Sequence, residues 1–254
     1  MSVKFSHSTH SRGPAIYGPI VAERRWGAEM RDKIKAMATD LFIAHGIRGV
    51  TFIMLAERLG VPRPNVHYYY PSKQRLAEEV LDEYAAGVVA LYEAVWTVHE
   101  LSLPAKFEGS MVAIRERYRR FNPPGAEGQP WGLLTRFQYE RDSLTPRMEA
   151  ILKDAGLRME RCGDIAVELA IEAGELVPNT PREEVALLVA NAIRFTGTLT
   201  TQASHFSRVE AHYRAVRNTL GKAYGTAMFR RAAAQIDECS AAASDRMCAS
   251  PTAA

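Results

Sequence analysis

Between Gly46 and Ser72 the chain is punctuated so densely that only two very short helices fit. Gly46, Gly60, Pro62, Pro64 and Pro71 leave room for FIMLAERL and for a second stretch opening near Arg63. Glycine just past a helix adopts the left-handed turn that ends it. Proline at a first helical position loses no hydrogen bond, but further along it forbids continuation. Upstream, Met30, Ile34, Met37, Ala38, Leu41 and Phe42 recur at helical spacing and stop at His45-Gly46. Thr51 stands at an N-cap position, and Ser72 caps a longer helix that runs without proline to about His99. A helix, a short helix, a tight turn at Gly60 and a third helix from Pro62 match the geometry of a helix-turn-helix. On geometry alone a plain helical hairpin within a bundle fits as well.

The rest of the chain also reads as helix, with no convincing alternating strand. Segments are expected from Pro104 to about Phe121, and from Trp131 to about Arg141. NPPGAEGQP, residues 122–130, is a loop between them. Thr145-Pro146 opens a helix to about Ala173. Thr180-Pro181-Arg182-Glu183 reads as a capping box for a helix to about His205, and a last helix spans roughly 209–231. That makes about nine helices in an all-α fold. Residues 1–25, rich in Ser, His, Gly and Pro, read as a flexible arm, and 232–254, rich in Ala and Ser, as a disordered tail.

Net charge is +3, yet ten Lys and Arg face four Asp and Glu between Arg24 and Arg75, so this fifth of the chain alone carries an excess of six. Local basic excess is the footprint of a phosphate-backbone partner, though many solvated helical faces share it. Cys162, Cys239 and Cys248 form no C-x-x-C pair, so neither a disulfide framework nor a zinc site is expected, and Cys162 reads as a small apolar helix residue. No apolar run is long enough for a membrane span, and the opening residues lack the apolar middle of a signal peptide. The chain is therefore expected to be cytoplasmic. No H-E-x-x-H, G-x-S-x-G, P-loop or dinucleotide fingerprint occurs, so no enzyme, metal site or cofactor is expected.

In a helix-turn-helix the N-terminal residues of the second helix reach base edges. Here these are Arg63, Pro64, Asn65, His67 and Tyr68. Arginine can grip guanine, and asparagine adenine, with two hydrogen bonds each.

GIRGVTFIMLAERLGVPRPNVHYYYPSKQRLAEEVL, residues 46–81, resembles the DNA-binding domain of TetR-family regulators. The matching positions are Gly46, Thr51, Leu55-Ala56, Gly60-Val61, Val66, Tyr69-Tyr70, Ser72-Lys73 and Leu76. Departures are His67 where tyrosine is more usual, Pro62 where serine caps the helix, and apolar Ile53 and Met54 where polar residues are common. The resemblance implies a three-helix DNA-binding domain over 26–87 and a ligand-binding and dimerisation domain over 88–231. It implies core roles for Leu55, Ala56, Val66 and Tyr70, and phosphate contacts at Thr51 and Lys73. It also implies a homodimer through the two long helices 145–173 and 181–205. Ala166, Ala170 and Ala173 on the first, with Ala192, Thr196, Gly197 and Thr200 on the second, are small enough for close approach; packing within one chain would use the same faces.

By the same resemblance an effector pocket lies between the fourth and seventh helices. Its large residues are Trp96, His99, Met111, Ile114, Tyr118, Trp131, Phe137 and Tyr139, which suit an apolar or aromatic small molecule. The function implied is sequence-specific binding to a palindromic double-stranded operator, repressing until the effector releases it. The alternatives are an activator, or a helical interaction module whose helix-turn-helix does not read DNA.

Overall fold

The structure is a computed structural model that describes residues 18–203 and 205–248, with the side chains of 27–200 and 205–240. Most of the expected arm, residues 1–17, and the last residues of the tail, 249–254, lie outside the described residues. The described chain is helical, and its only β-type pairing is an antiparallel bridge between Leu176 and Gly225. No helix among the described residues is long and apolar enough to cross a membrane.

A small head is built from α1 (Gly18–Gly49), α2 (Phe52–Leu59), α3 (Arg63–Tyr69) and the start of α4 (Lys73–Trp96). The body adds α5 (Leu103–Phe121), α6 (Leu133–Gln138), α7 (Pro146–Glu172), α8 (Arg182–Arg194), α9 (Thr196–Ala203), α10 (Ser207–Ala223) and α11 (Ala227–Cys248). A single 3-10 turn, Arg141–Ser143, follows α6. Hydroxyls of Thr51, Ser72, Ser102 and Thr145 accept the N–H three residues on, so each starts a helix as an N-cap should.

The count is eleven α-helices among the described residues, against about nine expected. The helix expected over 181–205 breaks at Phe195. Beyond that break, Thr200 Oγ1 bonds the carbonyl of Gly197, the kind of local contact by which threonine competes with regular helix. The tail is also more ordered than expected, since α11 continues to Cys248. It is anchored by Phe229, buried in the body, and by Arg217, which holds the Asp237 carboxylate with contacts of 2.8 and 2.9 Å. The start of α1 likewise runs into the expected arm, from Gly18. The capping box at 180–183 does not form. Thr180 is buried, and its hydroxyl donates to the Val177 carbonyl at 2.6 Å, leaving Pro181 to precede α8.

Two cores result. The head core gathers Ile34, Phe42, Leu55, Val66, Tyr70, Leu76 and Leu81, together with three residues from far along the chain: Leu133, Phe137 and Met148. The body core gathers Trp96, Phe107, Tyr118, Trp131, Val167, Val189 and Tyr213. The α7–α8 pair is the tightest joint in the body. A Cβ on Gly163 would lie 2.8 Å from the Ala186 carbonyl oxygen, so only glycine allows this approach. Ala166, Ala170, Ala192, Thr196 and Thr200 are all 5% exposed or less within one protomer. These small residues therefore pack α7, α8 and α9 within the chain; Gly197 is buried with them, while Ala173, at the end of α7, is exposed. Cys162, also on α7, is buried in the body core.

Two buried charges fasten the joint between α4 and α5. The Lys106 ammonium donates to the carbonyls of Trp96, at 3.1 Å, and Val98, at 2.6 Å. The end of a helix leaves such carbonyls unpaired, and a cation is favoured there. The Glu175 carboxylate accepts the N–H of Leu103 at 2.7 Å, in the first turn of α5. Burial pushes the Lys106 ammonium below its usual range and the Glu175 carboxyl above its own, and their mutual attraction opposes both shifts. Lys106→Met is expected to cost about 2–4 kcal/mol, because two buried carbonyls lose their donor. Urea unfolding near neutral pH measures it. A loss under about 1 kcal/mol would mean that water serves the carbonyls equally well.

Candidate functional site

The head presents α3 outward. Val66 and Tyr70 are fully buried and pin the helix to the head core, while Arg63, Pro64, Asn65, His67 and Tyr68 are exposed, Tyr68 at 83%. Four exposed polar or aromatic side chains, Arg63, Asn65, His67 and Tyr68, thus stand with Pro64 on seven residues of helix. Pro62 precedes α3 without a side-chain cap. The His67 ring packs edge-on against Phe52, centroids 4.7 Å apart, which steadies α3 against α2. Arg31 from α1 donates to the Tyr69 carbonyl at 3.0 Å and lies over the Tyr70 ring. The Tyr70 hydroxyl donates to Glu79, and burial pushes its ionisation upward. Thr51 is exposed at the start of α2. Lys73 is half-buried and donates to the Val50 carbonyl at 2.9 Å, so it holds the entry to α2 in place.

The body touches the head through α6. Leu133 and Phe137, one turn apart, are fully buried in the head core, with Phe137 edge-on to Phe42 at 5.8 Å. Just beyond, Glu140 turns back onto the end of α1. Its Oε2 accepts the N–H of Ile47 at 2.9 Å and of Arg48 at 3.3 Å. The room for this comes from Gly46, whose φ of 72° breaks α1 and whose missing Cβ would lie 1.6 Å from Glu140 Oε1.

A cavity of ≈ 90 Å³ opens between α4, α5, α6, α7 and α8, on the other side of α6. Leu134, Thr135 and Gln138 line it from α6, Tyr84, Val88 and Tyr92 from α4, Ile114 and Arg117 from α5, and Ala155, Met159 and Ile193 from α7 and α8. Of the eight residues expected at an effector pocket, Ile114 and Trp131 line this cavity. The other six do not. Trp96 is fully buried against Phe107, and Tyr118 is buried between Trp131 and Phe206. Met111 packs half-buried against the body core, and His99 is exposed beyond the end of α4. Phe137 belongs to the head core, and Tyr139 is 62% exposed. Size alone selected these residues, whereas lining depends on which side of each helix faces inward. The spacing Tyr84, Val88, Tyr92 on α4 was the signal available. The contributions of α7 and α8 come from chain far away and carried none. Trp131 donates its indole N–H to Thr200 at 2.6 Å, closing the wall toward α9.

Residues 34–80 match the family model described as bacterial regulatory proteins, tetR family. The chain shares its fold with solved regulators. A TetR transcriptional regulator from Chloroflexus aurantiacus is 20% identical at a TM-score of 0.65, covering 80% of this chain and all of that one. The reduced form of Escherichia coli NemR is 16% identical at 0.61, covering 75% and 96%. The regulatory protein TetR from Rhodobacter sphaeroides is 14% identical at 0.59, covering 76% and 97%. At these identities the likeness is one of fold. A search of curated proteins gives no match.

The contact of Glu140 on Gly46 can be tested by a double-mutant cycle. Gly46→Ala places a side chain at a positive φ with extended ψ, a strain of about 1–3 kcal/mol, and also evicts the carboxylate, a further ~1–3 kcal/mol. On a Glu140→Ala background only the backbone cost should remain. Equal penalties in both backgrounds, measured by chemical unfolding, would mean that the carboxylate contributes nothing.

Proposed function

We propose that the chain is a regulator of the tetR family that represses by occupying a palindromic operator as a homodimer, and lets go when a small molecule fills the cavity beside α6. The observation that carries this reading is the double duty of α6. One side, Leu133 and Phe137, is part of the head core; the other, Leu134 and Gln138, is wall of the cavity. A ligand pressing on that wall cannot leave Phe137 and Phe42 undisturbed. Glu140, gripping the amides ahead of α2, carries the displacement to the DNA-facing helices. The second connection is α4, a continuous rod from Lys73 to Trp96 that lines the cavity and begins directly after α3. A shift of either element changes the separation of the two α3 helices in a dimer. Half-sites on DNA demand a fixed spacing, near ~34–36 Å or a multiple. Coupling of ~1–3 kcal/mol already changes affinity 5–150-fold.

The proposed dimer keeps helices α7 and α8 as its contact but uses a different face from the small-residue stripe, which is consumed inside the protomer. Leu157 on α7, Leu187 and Leu188 on α8, and Phe195 just past its end are 54%, 56%, 48% and 49% exposed. Single exposed apolar residues are ordinary, but four large ones on one helix pair call for a cover. A second copy offers the same patch, as two-fold symmetry requires. Leu188→Glu is expected to give monomeric mass by light scattering and to lose the operator shift. A variant that remains dimeric would place the interface elsewhere.

On DNA, Asn65 and the exposed part of α3 are assigned to bases, and Thr51 and Lys73 to phosphates. Lys73 has three donors and spends one on Val50, so two remain for a phosphate. Lys73→Ala should weaken binding to every sequence and lower the salt slope by about one unit. Asn65→Ala should instead relax preference at one base pair, by ~1–3 kcal/mol. Mobility shifts on operator and random DNA over a salt series separate the two. Equal losses on both DNAs from both variants would refute the assignment, and no shift of any genomic fragment by the wild type would refute DNA reading as a whole.

A further inference from the structure

We propose that the ligand of this cavity is a small aromatic or apolar acid, and that Arg117 holds its carboxylate. The inference rests on the reading of the cavity as the effector site. Two guanidinium groups, Arg117 and Arg194, line the cavity, and no Asp or Glu does. Arg194 is committed to Glu160. Arg117, half-buried on α5, pairs with no carboxylate among the described residues; its guanidinium carbon lies 4.3 Å from the centre of the Tyr84 ring. Its neighbours on the same helix behave otherwise. Arg115 holds Glu210 at 2.8 Å, and Arg120 holds Asp40 at 2.9 Å. Two of the four arginines on the helix are thus neutralised, Arg119 is exposed to water, and Arg117 is left half-buried against the cavity without a carboxylate.

A partly desolvated cation stacked on a ring is a site prepared for an anion, because pairing recovers the interaction that burial has cost it. The planar fork of arginine matches a carboxylate with two parallel hydrogen bonds. The remaining wall sets the rest of the ligand. Val88, Ile114, Leu134, Met159 and Ile193 are apolar, Tyr92 and Trp131 aromatic. The volume of ≈ 90 Å³ is smaller than the ~150 Å³ that takes up a benzene ring, so a single-ring acid enters only as the wall, α6 included, gives way. A cationic ligand would face the unneutralised Arg117 guanidinium and find no carboxylate in the lining, and a polyphosphate would find too few donors. The anchor also sits next to the transmitting helix, since the Tyr84 hydroxyl accepts the N–H of Leu133 at 3.2 Å, at the first residue of α6.

The test titrates cinnamate and its uncharged isostere cinnamamide into the full-length protein by calorimetry near neutral pH. The wild type is expected to bind the acid about tenfold or more tightly than the amide, the effect of a charge-assisted pair. Arg117→Gln should bring the acid down to the level of the amide while leaving the amide unchanged, and Arg117→Lys should retain part of the preference. Ala155→Trp, which fills the cavity, should abolish both. Equal affinities in the wild type, or an unchanged preference in Arg117→Gln, overturn the assignment to Arg117 and leave the cavity as an effector site. Binding of both compounds that survives Ala155→Trp, or no binding of either to the wild type, overturns the reading of the cavity itself.

Discussion

A helix of six residues, α6, has to satisfy two cores at once, and the rest of the architecture is arranged around that demand. Successive residues on an α-helix point about 100° apart, so Leu133 and Phe137 can share one direction while Leu134 and Gln138 share the next. Neither direction is free. The first is filled by Phe42 and the head core, the second bounds the cavity. Close-packed interiors do not deform smoothly; they hold or repack. Rotating α6 would open a void on one side and force overlap on the other, so its orientation couples head to body more firmly than a loop could.

The long-range ion pairs add direction more than strength. Arg120–Asp40 joins α5 to α1, Arg147–Asp82 joins α7 to α4, and Arg158–Glu93 joins the same two helices further up. All are substantially exposed, and pairs of this kind contribute roughly 0–1 kcal/mol. Their value is geometric, since each favours one register of a helix sliding on its neighbour. Lys106 and Glu175 differ because both are nearly sealed from water and each serves backbone groups that have no other partner. Strength in this body is therefore concentrated at the α4–α5 joint and in the glycine-permitted contact at Gly163.

The head was legible in the sequence because its determinants are local. Gly46 and Gly60 adopt positive φ where a helix had to end, Thr51 and Ser72 cap where expected, and Pro62 and Pro64 fix the start of α3. The body was legible as helices but not as contacts. The stripe of Ala166, Ala170, Ala192 and Thr196 signalled close approach correctly, yet small residues do not say whether the neighbour is the same chain or another. Phe137 shows the converse: its size marked it as important, but only the fold places it beside Phe42 rather than in the cavity. Thr180 carried a good capping signal and was diverted because burial offered its hydroxyl a nearer carbonyl at Val177. Each of these was decided by tertiary distance, which spacing along the chain does not encode.

The body core holds Cys162 on α7, buried and with its thiol pushed up to about 11 by loss of solvation. Only the thiolate attacks oxidants and alkylating reagents. At that ionisation the reactive form is on the order of one part in ten thousand at neutral pH, and the surrounding side chains shut out reagents as well. Thiol chemistry consequently does not reach Cys162 while the body stays closed. A thiol that is silent in the closed state and reactive once exposed makes Cys162 a clock for the opening of the body core around α7: in the presence of excess reagent its labelling rate, read apart from that of the exposed Cys239, would follow that opening without any engineered probe.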